Sequence, residues 1–92
     1  MRNYNDPLYT DWRKKVRARD GNKCQMPGCK YKKKRGLQVH HIQKWATHAH
    51  LRYEISNGIT LCVWCHKKVG RHEERYVGLF LQIARKNQNG EK

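Results

Sequence analysis

Four cysteines and six histidines are the residues of this chain best suited to chemistry, and their spacing sorts them into groups. Four residues separate Cys24 from Cys29, two separate Cys62 from Cys65, and 32 lie between the pairs. Such pairs are either two disulfides or a metal site. Short-spaced cysteines form knuckles that together offer four thiolates in a tetrahedron, the closed arrangement of a structural zinc ion. The N-terminal stretch "MRNYNDPLYTDW" has no apolar leader core, which points to the cytoplasm, where thiols stay reduced. Zinc is therefore the preferred reading, and it would contribute much of the folding free energy of so small a chain.

The histidines are His40, His41, His48, His50, His66 and His72. His40 and His41 are adjacent in "LQVHHIQ", which otherwise reads as a strand. Side chains alternate along a strand, so the two imidazoles face opposite ways and cannot share one task. His66 directly follows Cys65, so a zinc ion at the cysteines would also fix the histidine beside it.

These groups need elements to hold them. Asp6-Pro7 makes a good helix start, and Leu8, Trp12 and Val16 recur at four-residue steps, predicting a first helix over about 7–20 that ends at Asp20-Gly21. "CQMPGC" is a tight turn with a cysteine at each end. "LQVHHI" (37–42) and "GITLC" (58–62) are the two strands, joined by a long loop that Trp45, Leu51, Tyr53 and Ile55 can pack down. "VWCHKKVG" (63–70) reads as a short helix. A last helix over about 73–87 carries Tyr76, Leu79, Phe80 and Ile83 on one face, acids in its first turn and bases in its last. The fold class is α+β: a ββα-metal core of two short antiparallel strands and a helix, with flanking helices and a structural zinc site of four cysteines. The 92 residues form one domain, its zinc-bearing core spanning about 24–70.

Lys and Arg number 21 against 7 acids, a formal charge of +14 that points to a polyanionic partner. No apolar run is long enough to span a bilayer, and a binder of anionic membrane surfaces would want a basic amphipathic helix with a bulky apolar face and no zinc site. Nucleic acid is the expected partner. Arg13, Lys14, Arg17 and Arg19 on the first helix, with Lys30, Lys32, Lys33, Lys34 and Arg35 in the loop "KYKKKRG", are the candidate phosphate contacts. Tyr31 in that loop can stack on a base, whereas Trp12, Trp45 and Trp64 are expected in the core. No base-reading element is apparent, so sequence preference should be weak.

The segments "WRKKVRARDGNKCQMPGC" and "LQVHHI…LRYEISNGITLCVWCHK" resemble the leading helix, zinc knuckle and core of HNH endonucleases of the ββα-metal (His-Me finger) group. The likeness is strongest to small zinc-containing members from bacteriophages and their bacterial hosts. It implies a catalytic pair in His41 and Asn57, with His41 as general base and Asn57 orienting the active-site loop. It also implies His40 and His66 as ligands of a catalytic divalent ion; His72, six residues after His66 and beyond Gly70, is a separate candidate for a third ligand. Free imidazole titrates near ~6.5, so a histidine is a suitable base at neutral pH. Imidazole ligands suit Ni, Zn or Mn on softness, and abundance keeps Mg among the choices. The expected reaction is hydrolysis of DNA phosphodiesters, by nicking or double-strand cleavage, leaving 5′ phosphate and 3′ hydroxyl on a double-stranded substrate. Two alternatives stay open: a zinc-stabilised DNA-binding module without catalysis, and an accessory nuclease working with phage DNA-packaging proteins.

Overall fold

The computed structural model describes residues 6–31, 33, 35–43 and 49–89. Lys32, Lys34, Trp45 and His48, singled out above, lie outside the described residues. The order is α1 (Pro7–Arg19), β1 (Leu37–His41), β2 (Gly58–Cys62), α2 (Val63–Gly70) and α3 (Glu73–Gln88), with 3-10 turns at Ala49–Leu51 and Ile55–Asn57. The fold is α+β, with two antiparallel strands and three helices, as the sequence patterns led us to expect.

α1 starts where the Asp6 carboxylate accepts from the Leu8 amide at 2.9 Å, with proline in the first turn. It ends at Gly21 and Asn22, both left-handed at φ 68° and 56°. Its buried face is Tyr9, Trp12 and Val16, not the expected Leu8, Trp12 and Val16; Leu8 is 61% exposed. Two large apolar residues are adjacent at the helix start, and the aromatic one takes the inward position.

β1 and β2 pair Leu37 with Cys62, Val39 with Thr60, His40 with Ile59 and His41 with Gly58. The sheet is covered on both sides. Tyr9, Trp12 and Val16 of α1 cluster with Val39 on one side. Ile42, Ile59 and Leu61 pack with Val69, Phe80 and Ala84 from α2 and α3 on the other. Burying both faces is what allows a two-stranded sheet, marginal by itself, to persist. Gly58 is required by this packing. A Cβ there would lie 2.7 Å from both Trp12 Cζ2 and Val16 Cγ2, so α1 could not approach β2.

The C-terminus of α1 is tied to the rest through Asp20, which is 4% exposed. Its carboxylate accepts from Arg19 Nε (2.9 Å) and Nη2 (3.0 Å), the Thr60 amide (2.9 Å) and Asn87 Nδ2 (2.9 Å). Arg19 also donates to the carbonyls of Ile55 and Gly58, each at 2.7 Å. Arg19 was expected among the phosphate contacts; it instead serves the fold, because its guanidinium is taken up by a buried acid and two carbonyls.

Candidate active site and metal centre

The four cysteine sulfurs lie within 4.8 Å of one another, with Cys29 Sγ and Cys62 Sγ 3.8 Å apart. A tetrahedral site with Zn–S near ~2.3 Å has sulfur–sulfur edges of about 3.8 Å, the length of the Cys29–Cys62 edge, so the cluster could hold a zinc ion. All four are free thiols, which sets aside the disulfide reading. Burial pushes the Cys24 thiol up and the Cys65 thiol far up, the latter helped by its hydrogen bonds with the neighbouring thiols. Cys29 is lowered, first by a hydrogen bond from the Tyr31 backbone. A bound metal would displace the protons that burial makes Cys24 and Cys65 hold. The cluster joins the 24–29 turn to the start of α2, where Cys62 Sγ also accepts the Cys65 amide at 3.5 Å.

β1 places His40 and His41 on opposite faces, as alternation requires. His41, 7% exposed, lies on the α1 side. Its ring stacks on the Trp12 indole with centroids 4.0 Å apart and planes 14° from parallel, and Tyr9 stacks on both. His41 Nε2 lies 2.9 Å from the Arg52 carbonyl. A carbonyl only accepts, so Nε2 carries the proton and the basic lone pair of the neutral ring is on Nδ1. Trp12 Nε1 donates to the Glu54 carbonyl at 2.7 Å, two residues along the same loop.

His40, 5% exposed, points to the other side, toward α2 and α3. Its ring meets His66 and Phe80 edge-on, with centroids 5.4 Å and 5.9 Å away respectively. Two imidazoles bound to one ion at about 2.1 Å have centroids roughly 4.5–5.3 Å apart, so this pair lies close to a bidentate arrangement. His66 Nδ1 hydrogen bonds to Gln38 Oε1. The amide oxygen again accepts, leaving His66 Nε2 as the atom that could ligate a metal. A partner of this kind on the far nitrogen is how proteins orient metal-binding histidines. Gln38 has no place in the reading from sequence, although its position two residues before His40, on the same strand face, was a signal.

Asn57, 2% exposed, clamps the loop between the strands. Its Oδ1 accepts from the Gln43 amide at 2.8 Å, and its Nδ2 donates to the carbonyls of Gln43 (3.2 Å) and Leu51 (3.3 Å). This side chain ties the start of the loop at Gln43 and its middle at Leu51 to the loop's end, and Arg52 and Glu54, between Leu51 and Asn57, supply the carbonyls that anchor His41 and Trp12.

His72 is exposed at the N-cap of α3. Among the described residues the four cysteines are the one gathered group of three or more ligating side chains, and His72 does not join His40 and His66 in another. Lys14, Lys30, Lys33 and Arg35 are exposed, while Arg13 and Arg17 are half-buried, the Arg13 guanidinium 5.7 Å from the Tyr9 ring centroid. The Tyr31 hydroxyl hydrogen bonds to the Arg35 carbonyl and closes the basic loop. Trp64, expected in the core, is 67% exposed, because α2 buries Val69 against the sheet side and turns position 64 outward. No helix among the described residues is long and apolar enough to cross a membrane.

A comparison with protein families matches residues 24–72, more than half of the chain, to the model described as HNH endonuclease. No curated protein and no solved structure matches the chain.

Proposed function

From the premise that this chain belongs to the HNH endonuclease family, we propose that it is a divalent-metal-dependent endonuclease that hydrolyses DNA phosphodiester bonds, with His41 as its general base. The observation that supports this most is the division of the histidine pair. One imidazole is oriented by a carbonyl and an indole, and the other faces a second histidine 5.4 Å away on the opposite side of the sheet.

Residues of the chain would act as follows. His41 Nδ1 takes a proton from water as the water oxygen forms its bond to phosphorus. The bond from phosphorus to the 3′ oxygen breaks, leaving a 5′ phosphate and a 3′ oxygen that takes a proton from solvent. The Arg52 carbonyl holds His41 in the reactive tautomer, and Trp12 prevents the ring from rotating. His40 and His66 would hold a divalent cation, which would supply positive charge to offset the charge that grows in the transition state. Asn57 keeps the loop that carries Arg52 and Glu54 in place. Arg13, Lys14, Arg17 and the loop from Lys30 to Arg35, with Lys32, Lys33 and Lys34, draw in the DNA backbone without reading sequence.

Zinc-loaded wild type and His41→Ala, incubated with supercoiled plasmid and Mg, Mn, Ni or Zn in turn, test this. The expected result is metal-dependent nicking that His41→Ala lacks while keeping its zinc and its fold. Cleavage by the variant at the wild-type rate, or no cleavage by folded wild type with any metal, would overturn the assignment and favour a DNA-binding module.

A further inference from the structure

α2 has a face that the proposed chemistry does not use. Trp64, Lys67 and Lys68 stand at i, i+3 and i+4 and are all exposed, on the side turned away from buried Val69. Arg71, one turn further, ends the stripe where Glu73 and Glu74 begin. α2 itself contains no acid, and among the described residues no ion pair joins Lys67 or Lys68 to one. Trp64 is the most exposed large apolar side chain described, at 67%, and Lys67 Nζ lies 5.9 Å from its ring centroid.

An indole held in water beside two cations, on a helix whose first turn is built into a zinc knuckle, presents a flat apolar surface in fixed orientation. Duplex phosphates offer such a ring nothing. The face of an unpaired base does, and stacking of this kind combined with neighbouring cations is how single strands are gripped. The position is also continuous with the basic loop: Lys30 follows Cys29 and Trp64 precedes Cys65, and these cysteines belong to one cluster of sulfurs within 4.8 Å.

We propose that Trp64, Lys67 and Lys68 form a single-strand contact, in which Trp64 stacks on an unpaired base and the two lysines take the adjoining phosphates. It rests on the nuclease reading for the identity of the polymer and deepens it. The preferred substrate then has an unpaired segment, such as a flap, gap or frayed end, beside the bond that is cut.

Fluorescence anisotropy with a labelled oligothymidylate and a GC-rich duplex of equal length tests the contact, using zinc-loaded protein with no second metal added. Trp64→Ala and Trp64→Leu should weaken oligothymidylate binding about tenfold or more and leave the duplex within about twofold, while Trp64→Phe retains most of the affinity. Lys67→Gln/Lys68→Gln should lower the salt slope for the single strand by about 1.4. Trp64 is exposed, so these variants should keep the wild-type thermal transition. Equal losses on both probes, no loss on either, or full affinity in Trp64→Leu would overturn the inference. Plasmid nicking by wild type, run in parallel, separates the outcomes: nicking with unchanged Trp64→Ala binding sinks the contact alone, and a selective single-strand loss without nicking sinks the catalytic reading alone.

Discussion

His41 lies flat against Trp12, and both rings are hydrogen bonded to one loop, at the Arg52 and Glu54 carbonyls respectively. α1 therefore does more than cover the sheet: it supplies the wall and, through the loop, the tautomer of the proposed base. Trp12→Phe keeps an aromatic wall but leaves the Glu54 carbonyl without its donor, a loss of about 1–3 kcal/mol. Trp12→Leu removes the wall as well. We expect Trp12→Phe to nick DNA within about tenfold of wild type. Trp12→Leu, compared at a temperature where both are folded, should lose far more in kcat than in KM. Equal kcat values for the two variants would show that the stack has no part in positioning His41.

Asp20 is predicted to be the costliest single acid to remove. Asp20→Ala leaves the Arg19 guanidinium, the Thr60 amide and the Asn87 amide without their shared acceptor, all inside the fold. Removing one partner of a buried ion pair costs about 3–5 kcal/mol, a large share of a small domain's stability. Urea unfolding of the zinc-loaded protein should show that loss for Asp20→Ala and about half of it for Asp20→Asn. A change below about 1 kcal/mol in Asp20→Ala would refute the role.

The contrast between His41 and Asp20 shows where the sequence was legible. The cysteine cluster and the opposed histidines follow from local rules, since spacing makes knuckles and strand alternation sets faces. The strands and α3 followed from patterning in the same way. Asp20 did not, because at a helix end before glycine it looks like an ordinary terminating residue, and its partners Thr60 and Asn87 are distant in sequence. Arg19 and Gln38 were obscure for the same reason. Leu8 and Tyr9 were equally apolar neighbours, so periodicity could not choose between them. Trp64 sits on a helix of two turns, too short for its pattern to reveal which side is wet.

The metal centre should respond to acid with a definite sign. Cys24 and Cys65 are raised by burial, so they hold protons more firmly than exposed thiols, and zinc must displace those protons to bind. Lowering the pH therefore weakens zinc binding, by about tenfold per pH unit for each proton displaced. Zinc retention, followed with a colorimetric chelator, and folding, followed by circular dichroism, should fall together as pH drops from about 8 to about 5. Cys65→Ala should show the same loss of zinc and structure already at the upper end of that range. Retention of the native spectrum after complete zinc release would remove the structural role from the metal.

Gln38 is expected to set the strength of the second metal site without contacting the metal. Its amide oxygen accepts from His66 Nδ1, which makes Nε2 the atom that would meet the proposed cation shared with His40. Gln38→Leu keeps the volume and removes the acceptor, and loss of such a partner typically costs about 10–100-fold in metal affinity. Titrating nicking against Mn should move the half-saturating concentration up by that range, with the rate at saturating metal recovered to within about fivefold. Gln38→Glu, which restores an acceptor and adds negative charge, should move the curve back to or below that of wild type. Zinc content at the cysteines should be unchanged in both variants, because Gln38 bonds to the imidazole and not to the knuckles. An unmoved Mn curve in Gln38→Leu would mean that His66 is oriented by the zinc-anchored helix alone.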